Sequence, residues 1–143
     1  MNQNENNKPN FPIGLDAAVL DCKDPSALAD FYVNLLGWKK NYSDEAEWAD
    51  IISPTGGTKI AFQKNDLYIP PIWPEEEGAQ QQMTHLDFAV RGKEEMERAV
   101  SHALSCGAKM AEKQYGGDKW ITMTDPAGHP FCFGRKKTRN KRL

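Results

Sequence analysis

The chain has 143 residues, of which 39% are hydrophobic and 27% are charged, and its net charge is −2. These values are typical of one globular domain, and they exclude a chain dominated by disorder or by membrane-spanning apolar runs. The polar start MNQNENNKPNFP lacks the parts of a signal peptide, so residues 1–12 are predicted to be a disordered tail. The odd number of cysteines, three, favours free thiols and a reducing cytoplasmic location.

The charges are unevenly distributed along the chain. The C-terminal stretch RKKTRNKRL contains six basic residues and no acidic one, so the remainder is acidic. We interpret residues 136–143 as a solvated basic tail, with contact to nucleic acid or an anionic surface as the alternative. Because the acidic body has no basic stripe, neither a nucleic-acid partner nor a membrane partner is expected.

The first half of the chain predicts a strand, a helix and then three strands. LDAAVLDC alternates apolar and polar residues as a half-buried strand does. Asp24 and Pro25 are typical of a helix start and Gly37 of a helix end, which predicts a helix over 25–36. Three further strands are predicted near 38–42, 47–53 and 58–64.

The second half repeats this order after a proline-rich polar linker at 66–82. WITMTDPAGHPFCF, which starts at Trp120, repeats WADIISPTGGTKIAF, which starts at Trp48 and has one extra residue after its turn. The second helix is predicted over 93–105, and strands near 108–112, 119–124 and 130–134. Because a unit of this size has little core of its own, repeats 13–65 and 83–135 are expected to pack as one domain over 13–135.

Three stretches in chain order resemble the vicinal oxygen chelate superfamily, the glyoxalase and bleomycin-resistance group: CKDPSALADFYVNLLGW, THLDFAV and DPAGHPFCF. FCF and WP are most similar to the glyoxalase-like subgroup. The resemblance covers about residues 13–135. It implies an α+β fold in which two βαβββ repeats form a curled mixed sheet around a cavity. It also implies a homodimer, because such domains commonly pair.

Superfamily members with metal chemistry carry a His on the first strand and a Glu on the last strand of each half. In this chain the pattern falls on Ala17, Ala61, His85 and Cys132, of which only His85 keeps the ligand type. The comparison with that pattern therefore implies no catalytic metal, and no cofactor is expected. Should a divalent metal be present, we expect His85, Gln63 and Cys132 to hold it.

The alternation of side chains along each strand also predicts which residues face the cavity, without reference to the family pattern. Leu86 and Phe88 are expected to face the second helix, so His85 and Asp87 face the cavity. By the same alternation Ala61 and Gln63 face it from the first half, and Asp21 lies nearby. Asp21 or Asp87 would complete a shifted metal site.

Cys132 stands where the pattern has a carboxylate. A thiolate paired with His85 would be a nucleophile, but a strand interior offers no helix N-terminus to lower the thiol pKa. We therefore favour a partly buried thiol in the cavity wall. His129 is expected to be a turn residue, and His102, off the apolar stripe of the second helix, is expected to face solvent.

The favoured function is a glyoxalase-like protein that binds a small apolar or aromatic molecule without catalytic metal. Tryptophans on or beside the cavity-forming elements serve either as ordinary packing or as a stacking surface. The expected pocket residues are Trp48, Gln63, Trp73, His85, Asp87, Trp120 and Cys132. One alternative is a metal-dependent lyase, isomerase or dioxygenase of the glyoxalase class, with His85 as the catalytic candidate. Another is a partner-binding protein with a vestigial cavity.

Overall fold

The structure is a computed structural model that describes residues 7–44 and 46–136. Residues 1–6 of the expected N-terminal tail and residues 137–143 of the expected basic tail lie outside the described part. The first half contains five elements, which are β1 (Ala17–Cys22), α1 (Pro25–Leu36), β2 (Lys39–Asp44), β3 (Trp48–Ile52) and β4 (Lys59–Lys64). The second half contains β5 (Leu86–Val90), α2 (Lys93–Cys106), β6 (Lys109–Met110), β7 (Trp120–Thr124) and β8 (Pro130–Arg135).

Each half forms a four-stranded mixed sheet with one helix. The first sheet has the order β1-β4-β3-β2 and the second the order β5-β8-β7-β6. In each sheet the first and last strands of the half run parallel, whereas the other neighbours are antiparallel. The predicted α+β fold of two βαβββ repeats is confirmed. Among the described residues, no helix is long and apolar enough to span a membrane.

Local signals explain the ends of both helices. The Asp24 side chain accepts a hydrogen bond from the Ala27 N–H at 3.1 Å, and Pro25 opens α1. Gly37 and Gly107 end the two helices in the left-handed conformation that glycine adopts at low cost. The predicted helix bounds are therefore correct to within one residue.

β6 is shorter than the strand predicted over 108–112. Beyond Met110 the Ala111 N–H still donates to Thr122 O at 3.1 Å, but the Thr122 N–H is taken up by the side chain of Gln114 and not by a backbone carbonyl of β6. The Gln114 amide donates to Thr122 O at 2.8 Å, and its Oε1 accepts from Thr122 N at 2.8 Å. A side-chain amide has the same donor and acceptor as a backbone peptide unit, so it substitutes for a strand partner.

One hydrophobic core joins the two halves. Tyr32 of α1 is fully buried and contacts Phe62 of the first sheet at a ring separation of 5.5 Å. The same ring contacts Phe88 and Phe131 of the second sheet, at 6.4 and 6.3 Å. Such aromatic contacts stabilise the packing beyond the apolar area that they bury. The helix-facing sides of both sheets therefore share one interior.

His102 of α2 forms a second connection between the halves. Its side chain is exposed, as predicted, but its ring also has a structural role that the sequence analysis missed. Nε2 lies 3.0 Å from Asn34 O and 3.1 Å from Leu35 O, so the ring N–H donates to carbonyl groups at the end of α1. These groups have no partner within their own helix.

Candidate functional site

The strand register shows which positions of the two halves correspond. Val19 pairs with Ala61 across the parallel strands of the first sheet, and Asp87 pairs with Cys132 in the second sheet. Ala61 and Cys132 are therefore equivalent. His85 lies two residues before Asp87, as Ala17 lies two residues before Val19. We call the side of each sheet away from the helices its outer face.

A cavity of about 470 Å³ lies on the outer face of the second sheet. Five of the seven predicted pocket residues line it, which are Trp73, His85, Asp87, Trp120 and Cys132. Gln82, Lys119, Thr122, Arg135 and Lys136 also line it, and the sequence analysis did not single them out. Trp48 and Gln63 are not among its lining residues. They pair with each other across β3 and β4 of the first sheet.

Three polar side chains cluster at this cavity. His85 Nε2 lies 3.2 Å from Asp87 Oδ1, and one donor atom each from His85, Asp87 and Cys132 lie within 4.8 Å of one another. The cluster thus presents an imidazole nitrogen, a carboxylate oxygen and a sulfur. Gln63, the other expected metal ligand, lies on β4 of the first sheet and is not among the residues that line this cavity. Asp87 is one of the two residues expected to complete a shifted site.

Cys132 is held as a neutral thiol. Its residue is 9% exposed, and the sulfur lies 3.4 Å from Thr122 Oγ1. Burial raises the pKa of the Cys132 thiol, and the neighbouring Asp87 carboxylate raises it further. Because a nucleophilic cysteine needs its thiolate form, this environment favours a wall residue over a nucleophile.

Aromatic rings form the walls of the cavity. The Trp73 ring, from the linker, contacts Tyr115 edge-on at a ring separation of 6.0 Å. Trp120 is 40% exposed, and its ring packs so closely over Gly116 that a Cβ atom added there would clash with it. The absence of a side chain at Gly116 therefore allows the Trp120 ring to lie there.

The equivalent part of the first sheet holds a buried carboxylate. Asp50 pairs with Ala61 and is 4% exposed, and it accepts hydrogen bonds of 2.8 Å from Trp48 Nε1 and Asn41 Nδ2. Burial opposes the charge of Asp50, but the hydrogen bonds outweigh this effect and lower its pKa. The Trp48 N–H is thus occupied within the first sheet.

A second buried carboxyl, Asp125, lies between the halves. Its Oδ1 accepts from the N–H groups of Ala127 and His129 at 2.9 and 3.0 Å, and its Oδ2 accepts from the Tyr32 hydroxyl at 2.7 Å. Burial raises the pKa of Asp125 despite these bonds. His129, expected to be a turn residue, lies in this turn, and its Nε2 donates to Asp21 O at 2.6 Å.

The residues present do not fit the four-ligand metal site that the resemblance implies. Ala17 and Ala61 have no donor atom in their side chains, and Cys132 stands where that site has a carboxylate. His85 alone retains the ligand type. A metal at this position would therefore need a different set of ligands.

The paired βαβββ halves and the cavity on an outer sheet face define the class of the protein. Residues 17–134 match the family described as Glyoxalase-like domain, and the chain therefore belongs to the glyoxalase-like family. No functionally curated protein matches the sequence.

Solved structures with the same fold include proteins that carry the names of different activities. A glyoxalase/bleomycin resistance protein/dioxygenase family enzyme from Burkholderia phytofirmans is 18% identical, covers 86% of this chain and 98% of its own, and has a TM-score of 0.65. A lactoylglutathione lyase from Agrobacterium tumefaciens is 14% identical, with 90% and 98% covered and a TM-score of 0.61. A fosfomycin resistance protein from Listeria monocytogenes is 16% identical, with 90% and 94% covered and a TM-score of 0.63. At these identities the similarity shows the fold alone.

Proposed function

We propose that this glyoxalase-like protein binds a small apolar or aromatic molecule in the cavity of the second sheet, without a catalytic metal. The observation that carries the proposal is the composition of the cavity, which has aromatic walls from Trp73 and Trp120 and a small polar group formed by His85 and Asp87. Small-molecule sites commonly combine apolar walls with a few placed polar groups. A volume of about 470 Å³ is sufficient for a molecule of one or two rings.

The proposal includes no catalytic metal because of the residues that occupy the implied ligand positions. Three of the four positions implied by the resemblance hold Ala17, Ala61 and Cys132. The neutral thiol of Cys132 also argues against covalent catalysis. In this proposal His85 and Asp87 orient the polar group of the bound molecule.

Binding of 2-naphthamide, measured by calorimetry, tests the proposal. We expect Trp120→Ala to weaken binding about tenfold, because the variant removes one aromatic wall. His85→Ala should leave folding intact and weaken binding by about 1–3 kcal/mol if its ring bonds to the amide. Tyr42→Ala, an exposed aromatic residue of the first sheet, is the matched control and should bind like the wild type. Equal affinity in all four proteins, or no binding at all, would contradict the proposal.

The cluster of His85, Asp87 and Cys132 supports a second candidate, a metal-dependent enzyme of the glyoxalase class with an atypical site. Three donor atoms within 4.8 Å of one another are the minimum for a catalytic zinc site. Elemental analysis of untagged protein distinguishes the candidates. Stoichiometric zinc, nickel, iron or manganese that disappears in His85→Ala would favour the enzyme, whereas metal-free protein that still binds the probe favours the binding protein.

We further propose that the protein is a cytoplasmic homodimer. Large apolar side chains are exposed before β1, on β1 and near the two ends of the linker, where a second copy would cover them; they are Phe11, Ile13, Leu15, Val19, Leu67 and Met83. The free cysteines Cys22, Cys106 and Cys132 fit a reducing compartment. Sedimentation at micromolar concentration tests the dimer, and a pure monomer would contradict it.

A further inference from the structure

The cavity of the second sheet has an unequal distribution of charge. Three of its lining residues are basic, which are Lys119, Arg135 and Lys136, whereas Asp87 is the one acidic residue among them. The basic residues adjoin the place where Trp120 pairs with Gly134. Asp87 pairs with Cys132, two residues earlier on β8, which is about 7 Å away at the rise of a strand. The cavity therefore has a basic end and a His85–Asp87 end.

The positive charge at the basic end is only partly neutralised. Arg135 Nη1 lies 3.6 Å from a carboxylate oxygen of Asp118, and these two residues also line a groove on the α2 side of the second sheet, so the Arg135 charge is largely directed away from the cavity. Neither Lys119 nor Lys136 forms a salt bridge within the part of the chain that the structure describes. At the other end, Asp87 lies within hydrogen-bond distance of His85. A concave site lined by uncompensated charge of one sign concentrates ligands of the opposite sign.

We infer that the cavity binds a planar aromatic carboxylate, with its ring beside Trp73 and Trp120 and its carboxylate at Lys119 and Lys136. The inference rests on the proposed function and narrows it from aromatic molecules to aromatic anions. A carboxylate is a planar acceptor that an arginine or lysine side chain bonds well. The separation of the two ends, about 7 Å, is the scale of a carboxylate attached to an aromatic ring.

The test compares 2-naphthoate with 2-naphthamide by calorimetry, because the two probes share ring and shape and differ in charge. We expect the wild type to bind 2-naphthoate about tenfold more tightly at low salt, and this ratio to fall as salt is raised. Lys119→Gln and Lys136→Gln should each reduce the ratio about threefold or more by weakening 2-naphthoate binding. Lys64→Gln, which alters an exposed ion pair of the first sheet, is the control.

The outcomes separate this inference from the proposed function. Tight 2-naphthamide binding with no preference for 2-naphthoate would overturn the inference and leave the proposed function standing. A preference for 2-naphthoate that is the same in Lys119→Gln, Lys136→Gln and Lys64→Gln would also overturn the inference, because the basic end would then have no part in it. Absence of binding by either probe at millimolar concentration would overturn both.

Discussion

The outer faces of the two sheets have the same strand register but opposite character. In the first sheet Asp50 faces Ala61, and its carboxylate is saturated by Trp48 and Asn41. In the second sheet Thr122 faces Cys132 at the corresponding positions, and the face opens into a cavity. The difference shows that side chains at equivalent places, and not the repeat itself, decide which half presents a site.

The largest expected effect on the free energy of unfolding comes from introducing a glutamate at one or the other of the equivalent positions, Ala61 and Cys132. Ala61→Glu would bury a charge beside ionised Asp50, so we expect a loss of about 3–5 kcal/mol in the free energy of unfolding. Cys132→Glu reaches the cavity and its solvent, so we expect a loss of about 1–2 kcal/mol. Urea unfolding measures both values. Equal losses would show that the two faces do not differ in access to water.

A smaller loss of stability is expected when the residues paired with these positions, Asp50 and Thr122, are substituted. Asp50→Ala would leave the N–H groups of Trp48 and Asn41 without their acceptor, at a cost of about 2 kcal/mol. Thr122→Val removes one hydroxyl near a sulfur and should cost less than about 1 kcal/mol. Urea unfolding again provides the measurement. A larger loss for Thr122→Val than for Asp50→Ala would reverse the comparison.

The two buried carboxyls should respond to pH in opposite directions. Because the pKa of Asp50 is lowered, its contribution is complete above the unfolded-state pKa of about 3.9 and is lost as the pH falls through its folded value. Because the pKa of Asp125 is raised, its contribution is complete below about pH 3.9 and is lost as the pH rises through its folded value.

Urea unfolding midpoints measured as a function of pH test the direction of each effect. Relative to the wild type, Asp50→Asn should lose less stability on acidification, because it lacks the carboxylate that must be protonated. Asp125→Asn should lose less stability as the pH rises from about 4, because it has no buried carboxyl to ionise. Parallel pH profiles for the wild type and both variants would contradict these assignments.

The smallest effect concerns the thiols. Burial raises the pKa of Cys22, in the core side of the first sheet, to about 11, and it also raises the pKa of Cys132. At about pH 8 both should react with iodoacetamide at least tenfold more slowly than free cysteine, as intact mass would show. Fast alkylation of Cys132, with Cys22 unmodified as the internal control, would restore the nucleophile hypothesis.

Local sequence signals predicted those features that depend on neighbouring residues. Asp24 and Pro25 specified the start of α1, and alternation along β1 and β5 specified which side chains face the core. The bond between Trp48 and Asp50 was within reach of the same reasoning, because residues two apart on a strand share a face. It was missed because the Trp48 ring was considered for packing and stacking, and its N–H group was not considered as a hydrogen-bond donor.

Features that depend on distant residues had no such signal. The bond between Tyr32 and Asp125 joins residues 93 positions apart, and only the packed halves bring them together. The placement of Gln63 and Trp48 relative to the cavity depends on how the two sheets are arranged, which strand alternation does not specify. The basic end of the cavity likewise combines the start of β7 with the end of β8.

The position of Tyr32 has a consequence for how the molecule can be divided. Its ring packs against aromatic residues of both sheets, and its hydroxyl bonds to Asp125. Neither repeat can therefore complete its interior alone, although each has a full set of strands. Separately expressed fragments 13–65 and 83–135 should each be unfolded in isolation and gain structure only when mixed, so the repeats behave as obligate partners within one cooperative folding unit.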